Sequence, residues 1–227
     1  MKLNRYGQPV GDPIVWSARR RVEPVRLTGS HCTVEPYDAR HLADLATALI
    51  RDSSPSIWTY IPVAEMTGPE PLREWLASLE LQPRAVPHTI LLPDGRPVGV
   101  ASYLRLDEVN GSVEVGGIVY AEELQRTTAA TEAMYLMARH VFDDLGYRRY
   151  EWKCDSFNEP SRRAAERLGF SYEGTFRNAL VYKGRNRDTD WLSITDAEWP
   201  AVRGRLERWL DPANFDGCGN QIVSLRI

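Results

Sequence analysis

Apolar residues along the chain follow two periods. Between residues 39 and 51 they recur at 42, 45, 46, 49 and 50, a helical stripe. "SSPSIWTYIPV" breaks it and puts Trp58 and Tyr60 on a loop. A second helix is expected from about Glu70 to Leu81, with proline at its start. The period then shortens. "HTILLPDGRPVGVASYLRL" reads as strand, turn, strand around Asp94-Gly95, and "GSVEVGGIVY" as a further strand. A helix follows from about Arg126 to Leu145, ending at Gly146. "YRRYEWKCDS" is again a strand. A short helix from Pro160 to Leu168 is capped by Asn158 or Ser156 and stopped by Gly169. Two strands then surround the polar turn at 183–187, and Asp196 opens a last amphipathic helix through Trp209. With a first strand or hairpin in "RLTGSHCTVEPY", the order is mixed α/β, with one strand–helix–strand crossover at 112–155.

The ends have a different texture. Residues 1–25, rich in Pro, Gly and Arg, read as an irregular arm, 26–210 as one domain, and 211–227 as a loose tail with room for a strand in "NQIVSLRI". The 31 acidic side chains outnumber 28 basic ones, which argues against a nucleic-acid partner bound by net charge. Cys32, Cys154 and Cys218 form no CxxC pair and are odd in number, so a reducing, cytoplasmic setting is expected. The histidines at 31, 41, 88 and 140 are scattered, and no metal is expected. The first residues lack the apolar core of a signal peptide, and no apolar run approaches spanning length, so no membrane partner is expected.

One stretch carries candidate chemistry. "ELQRTTAATEAM", residues 123–134, runs a strand into a helix start crowded with Gln125, Arg126, Thr127 and Thr128. The first amides of a helix lack intrahelical partners, and with the helix dipole they favour an anion such as a diphosphate. Ala129 and Ala130 would admit phosphates close to the backbone, and Thr127, Thr128, Thr131 and Arg126 could donate to them. The same residues also suit a capped helix packed on a sheet by its alanines.

"GGIVYAEELQRTTAATEAM" followed by "WKCDSFNEPSRRAAERLGFSYEG" resembles the GNAT superfamily of N-acetyltransferases, in its ribosomal-protein-acetyltransferase-like (RimJ/RimL-like) branch. Gln125 and Ala130 match the first and last places of that family's acetyl-CoA loop, while Thr128 stands where glycine is usual. Asn158 and Ser161, ahead of Leu168-Gly169-Phe170, match its second motif. The resemblance covers roughly residues 25–200. It implies an α/β (α+β) fold: a mixed, mostly antiparallel sheet of about seven strands, splayed in the middle and flanked by helices. The implied cosubstrate is acetyl-CoA, its arm in the gap between strands 112–119 and 148–155, near Ile118, Val119 and Tyr120. An amide near Ile118 would polarise the acetyl carbonyl. The diphosphate would rest on 126–131, and Asn158 and Ser161 would meet the arm.

The acceptor amine must attack neutral, although an α-amine titrates near ~8 and a lysine near ~10.4, so a base is useful. By resemblance Glu114 is that base. Simple alternation puts it on one face with Gly116 and Ile118. Many relatives carry a tyrosine acid four residues before the glycine of "LGF"; here that place is Ala165, and Ser161 is the acid candidate. The acceptor side would be bounded by Trp58, Tyr60 and the 177–190 hairpin, with Asp188 or Asp190 as amine ligands. Core packing and an Arg–Asp turn are the alternative readings of those residues. Cys154, with no histidine near it in sequence, reads as a buried spectator. The main expectation is an N-acetyltransferase acting directly on a primary amine of a small molecule, a protein N-terminus or a lysine. The alternative is a non-catalytic acyl-CoA sensor or assembly module. Sheet-edge pairing makes a homodimer a further expectation.

Overall fold

The structure is a computed structural model describing residues 2–64 and 66–225. An eight-stranded sheet runs in the order β3-β4-β5-β6-β7-β8-β10-β9, and a two-stranded hairpin (β1, Lys2–Leu3; β2, Pro9–Val10) stands apart from it. The sheet strands are β3 (Leu27–Thr28), β4 (Thr33–Pro36), β5 (Ala85–Leu91), β6 (Pro97–Asp107), β7 (Ser112–Tyr120), β8 (Arg149–Asp155), β9 (Ser171–Tyr182) and β10 (Arg185–Thr195). Every pairing is antiparallel except β7–β8, which is parallel. The crossover between those two strands is α3 (Thr128–Arg139), Ala-rich and buried along nearly its whole length. The expected mixed, mostly antiparallel sheet is therefore present, with eight strands where the resemblance implies about seven. The arm also departs from irregularity by forming its small hairpin.

The other helices are α1 (Leu42–Ala46), α2 (Pro69–Glu80), α4 (Glu159–Leu168) and α5 (Trp199–Leu210). The apolar stripe at 39–51 predicts one helix. It is instead a 3₁₀ turn, α1 and a π-turn in series, because the hydrophobic period alone does not distinguish ring sizes. The 126–145 helix likewise ends in a π-turn over His140–Asp144, before Gly146 at φ +68.

From Trp16 to Val22 the arm lies along one end of the sheet. The Trp16 indole donates to Val109 O (2.7 Å), Arg19 Nε to Gly146 O (2.8 Å), and Arg21 to Pro83 O (2.8 Å). The arginine run thus serves main-chain carbonyls. At the other terminus the tail folds back on α5: Asn214 donates to Trp209 O and Val223 O, and Trp209 donates to Gln221. An isolated bridge, Phe215 with Gln221, replaces the strand read in "NQIVSLRI", whose last two residues lie outside those described. Among the described residues no helix is long and apolar enough to cross a membrane.

Candidate active site

Two strands that start as neighbours separate halfway. β7 pairs with β8 only from Ser112 to Val115, against Arg149 to Trp152. Beyond that point Gly116–Tyr120 and Lys153–Asp155 diverge, leaving backbone groups of both strands facing a gap. A bulge accompanies the separation. Ser102 faces Gly116 and Val100 faces Val119, so β7 carries one residue more than β6, with Gly117 at φ +57. The extra residue breaks simple alternation. Glu114 and Gly116 share a face with Val119, while Ile118 turns to the other. Its placement beside Glu114 is corrected on that account.

The strand leads into α3 through a tight turn. Gln125 Nε2 donates to Tyr120 O (3.0 Å), and Arg126 takes the left-handed conformation at φ +62. Thr127 is the N-cap: its Oγ1 accepts from Ala130 N (3.1 Å) and donates to Leu124 O (2.7 Å). One early amide is thereby satisfied, whereas those of Thr128 and Ala129 have no intrahelical acceptor by helix geometry. Thr128 is the first residue of α3 and has no positive φ, so this loop needs no glycine there. Thr131 Oγ1 is already occupied, accepting from Arg167 Nη1 (3.0 Å).

Across the gap, Asn158 caps α4, its Oδ1 accepting from Ser161 N (3.2 Å). Ser161 Oγ accepts the Trp152 indole N–H (3.0 Å) and its hydroxyl also hydrogen-bonds the Cys154 thiol. Cys154 beside it is buried, and burial followed by the Asp190 charge pushes its thiol up to about 11. A thiol so held is a poor nucleophile.

Glu114 lies within a chain of charges. Its Oε2 meets Lys153 Nζ at 2.7 Å and Arg105 Nε at 3.0 Å. Lys153 also meets Glu151 (2.8 Å) and lies 3.7 Å from the centre of the Trp191 ring. Glu151 binds Arg149 (2.7 Å), which forks onto Glu173. Oε1 of Glu114 points instead to the bulge, where a Cβ on Gly116 would stand 2.8 Å from it. Sequence reading missed Arg105, Glu151 and Lys153. Alternation along "YEWKCD" could have put Glu151 and Lys153 on the face of Glu114, but nothing local to Arg105 announces the second bulge that turns it there.

The proposed acceptor residues separate into two groups. Trp58 is core: its indole donates to Leu49 O and meets Trp75 edge-on at 5.3 Å. Tyr60 is half-buried and donates to Phe157 O (3.1 Å), so of the two it alone reaches the rim of the gap. The hairpin tip docks on the same loop, Lys183 Nζ donating to Trp58 O (2.7 Å) and Thr59 O (3.2 Å). Asp188 is used inside its own hairpin, accepting from Asn178 N and Asn186 Nδ2. Asp190 is buried on Arg162 and Thr175.

Comparison with known proteins agrees with this architecture. A family model described as an acetyltransferase (GNAT) domain matches residues 32–171. A crystal structure of a GCN5-related N-acetyltransferase from Brucella melitensis is 38% identical, covers 92% of this chain and 96% of its own, and superposes with a TM-score of 0.89. A Bacillus subtilis (strain 168) protein named provisionally as the ribosomal N-acetyltransferase YdaF is 33% identical over 109 residues. That match covers 48% of this chain and 59% of the relative. The structure of Mycobacterium smegmatis RimJ in complex with CoA-disulfide shares the fold, at 22% identity and a TM-score of 0.68 over 82% of this chain and 92% of that one.

Proposed function

The chain belongs to the GNAT acetyltransferase family, and from that premise we propose that it moves an acetyl group from acetyl-CoA directly to a primary amine. The observation that carries the reading is the β7–β8 gap opening beside the N-terminus of α3. A slender arm bearing amides and ending in a diphosphate fits it: unpaired strand edges suit the amides, and the orphan amides of Thr128 and Ala129, with the Arg126 charge, suit the anion. Acetyl-CoA supplies an activated acyl group as a thioester.

The residues divide the remaining work. Ile118, Val119 and Tyr120 offer strand-edge groups along the gap, the amide near Ile118 polarising the acetyl carbonyl. Gln125 and Thr127 hold the turn so that the amides from Arg126 to Thr131 face the anion, and Ala129 and Ala130 keep the approach open. Asn158 fixes the start of α4 and with it Ser161, whose hydroxyl proton serves the departing sulfur. Glu114 takes a proton from the acceptor ammonium, through Oε1. Tyr60 and the tip of the β9–β10 hairpin border the acceptor's path. Trp58 supports that border from within the core, and Asp188 holds the hairpin that forms it. The domain so defined spans 26–210, with the arm and tail packed against it.

The acceptor is a small molecule, a protein N-terminus or a lysine. The name of the Bacillus relative favours a protein amine for the first trial. Thiol release from acetyl-CoA in the presence of peptides with free N-termini, blocked peptides with a lysine, and small amines tests both parts. Release with one class supports the enzyme and names its acceptor. Tight acetyl-CoA binding with no release across all three would favour an acyl-CoA sensor.

A further inference from the structure

We propose that Lys153 is a positioning residue for the transfer: by holding Oε2 of Glu114 it keeps Oε1 aimed at the β7 bulge. This rests on Glu114 acting as the base. Lys153 stands one residue past the last β7–β8 pair, where the gap opens. Its side chain is 5% exposed and that of Glu114 8%, so this is a desolvated pair whose partners are costly to separate. Two carboxylates at 2.7 and 2.8 Å and the Trp191 face form a complete cage for one ammonium, and the protein fills it with its own. An acceptor ammonium therefore finds no vacancy at Oε2. It meets Glu114 through the other oxygen, beside Gly116, where a Cβ would collide with Oε1 at 2.8 Å and with Leu104 Cδ1 at 2.7 Å.

Arg105 points to the same arrangement. A bulge between Leu104 and Asp107 puts it at φ +51, an uncommon conformation for a side-chain-bearing residue. In a regular strand it would point away from the face of Glu114; the bulge turns its guanidinium onto Oε2. The charged groups around Glu114 are thus Arg105 from β6, Lys153, Glu151 and Arg149 from β8, and Glu173 from β9. Its direct neighbours are the two cations, both on Oε2.

The test is steady-state acetyl transfer by the full chain, with acetyl-CoA binding heat measured on the same samples. Lys153→Met is expected to lower kcat by about tenfold or more at unchanged acetyl-CoA affinity, and Lys153→Arg should restore it. Arg105→Gln, at an exposed side chain, tests the same claim should Lys153→Met not fold, and is expected to give a smaller loss of kcat in the same direction. Undiminished kcat in a folded Lys153→Met, or in Arg105→Gln where Lys153→Met does not fold, overturns the inference while leaving the base in place. Undiminished transfer by Glu114→Gln overturns the base itself, and the inference with it.

Discussion

Glu114 shows how far a single residue can be read from sequence. Resemblance to the family makes it the base candidate, and the structure gives it one oxygen tied to cations and one facing the bulge. Replacement by Gln is expected to lower kcat by ~10²–10⁴-fold with acetyl-CoA affinity retained, as steady-state kinetics beside calorimetry would show. The register of its neighbour Ile118 was not legible, because a bulge is set by pairing with β6 rather than by local composition. Thr128 shows the reverse case. It departs from the family's usual glycine, yet it starts a helix while Arg126 takes the left-handed position. Thr128→Gly should therefore leave acetyl-CoA affinity within about twofold and lower stability by at most about 1 kcal/mol, measured by titration and urea unfolding.

At the scale of elements, helices and their ends were legible where local chemistry decides them. Asn158 caps α4, and Gly169 ends it at φ +108, as residue type predicts. What holds one element to another was not legible. Glu132 on α3 is buried, and its carboxylate accepts the amides of Ser30, His31 and Cys32 at 2.8, 2.6 and 2.9 Å, clamping the β3–β4 turn. Its partners lie about a hundred positions away in sequence, beyond the reach of any periodicity. Glu132→Ala strips a charge-assisted acceptor from three amides and should cost about 2 kcal/mol or more in urea unfolding. Asn158→Ala, losing one cap, should cost about 1 kcal/mol in the same experiment.

At the scale of the whole molecule, stability is coupled to pH through the core. His88 on β5 is fully buried against Tyr103, and burial lowers its pKa from 6.5 to about 4. The unfolded chain therefore binds the proton first. Stability from this group is intact above about pH 6.5, declines as the pH falls, and stops declining near 4. The full loss is roughly 3 kcal/mol at a shift of this size, and His88→Gln should flatten that part of the urea-midpoint profile. The same sheet that buries His88 opens between β7 and β8, and the central claim is that acetyl-CoA enters there. Amide hydrogen exchange with and without saturating acetyl-CoA tests it most directly. Slowed exchange confined mainly to 116–120 and 126–131 is the predicted result. Bound acetyl-CoA that leaves both segments unchanged, or protects a different face of the sheet, would contradict it.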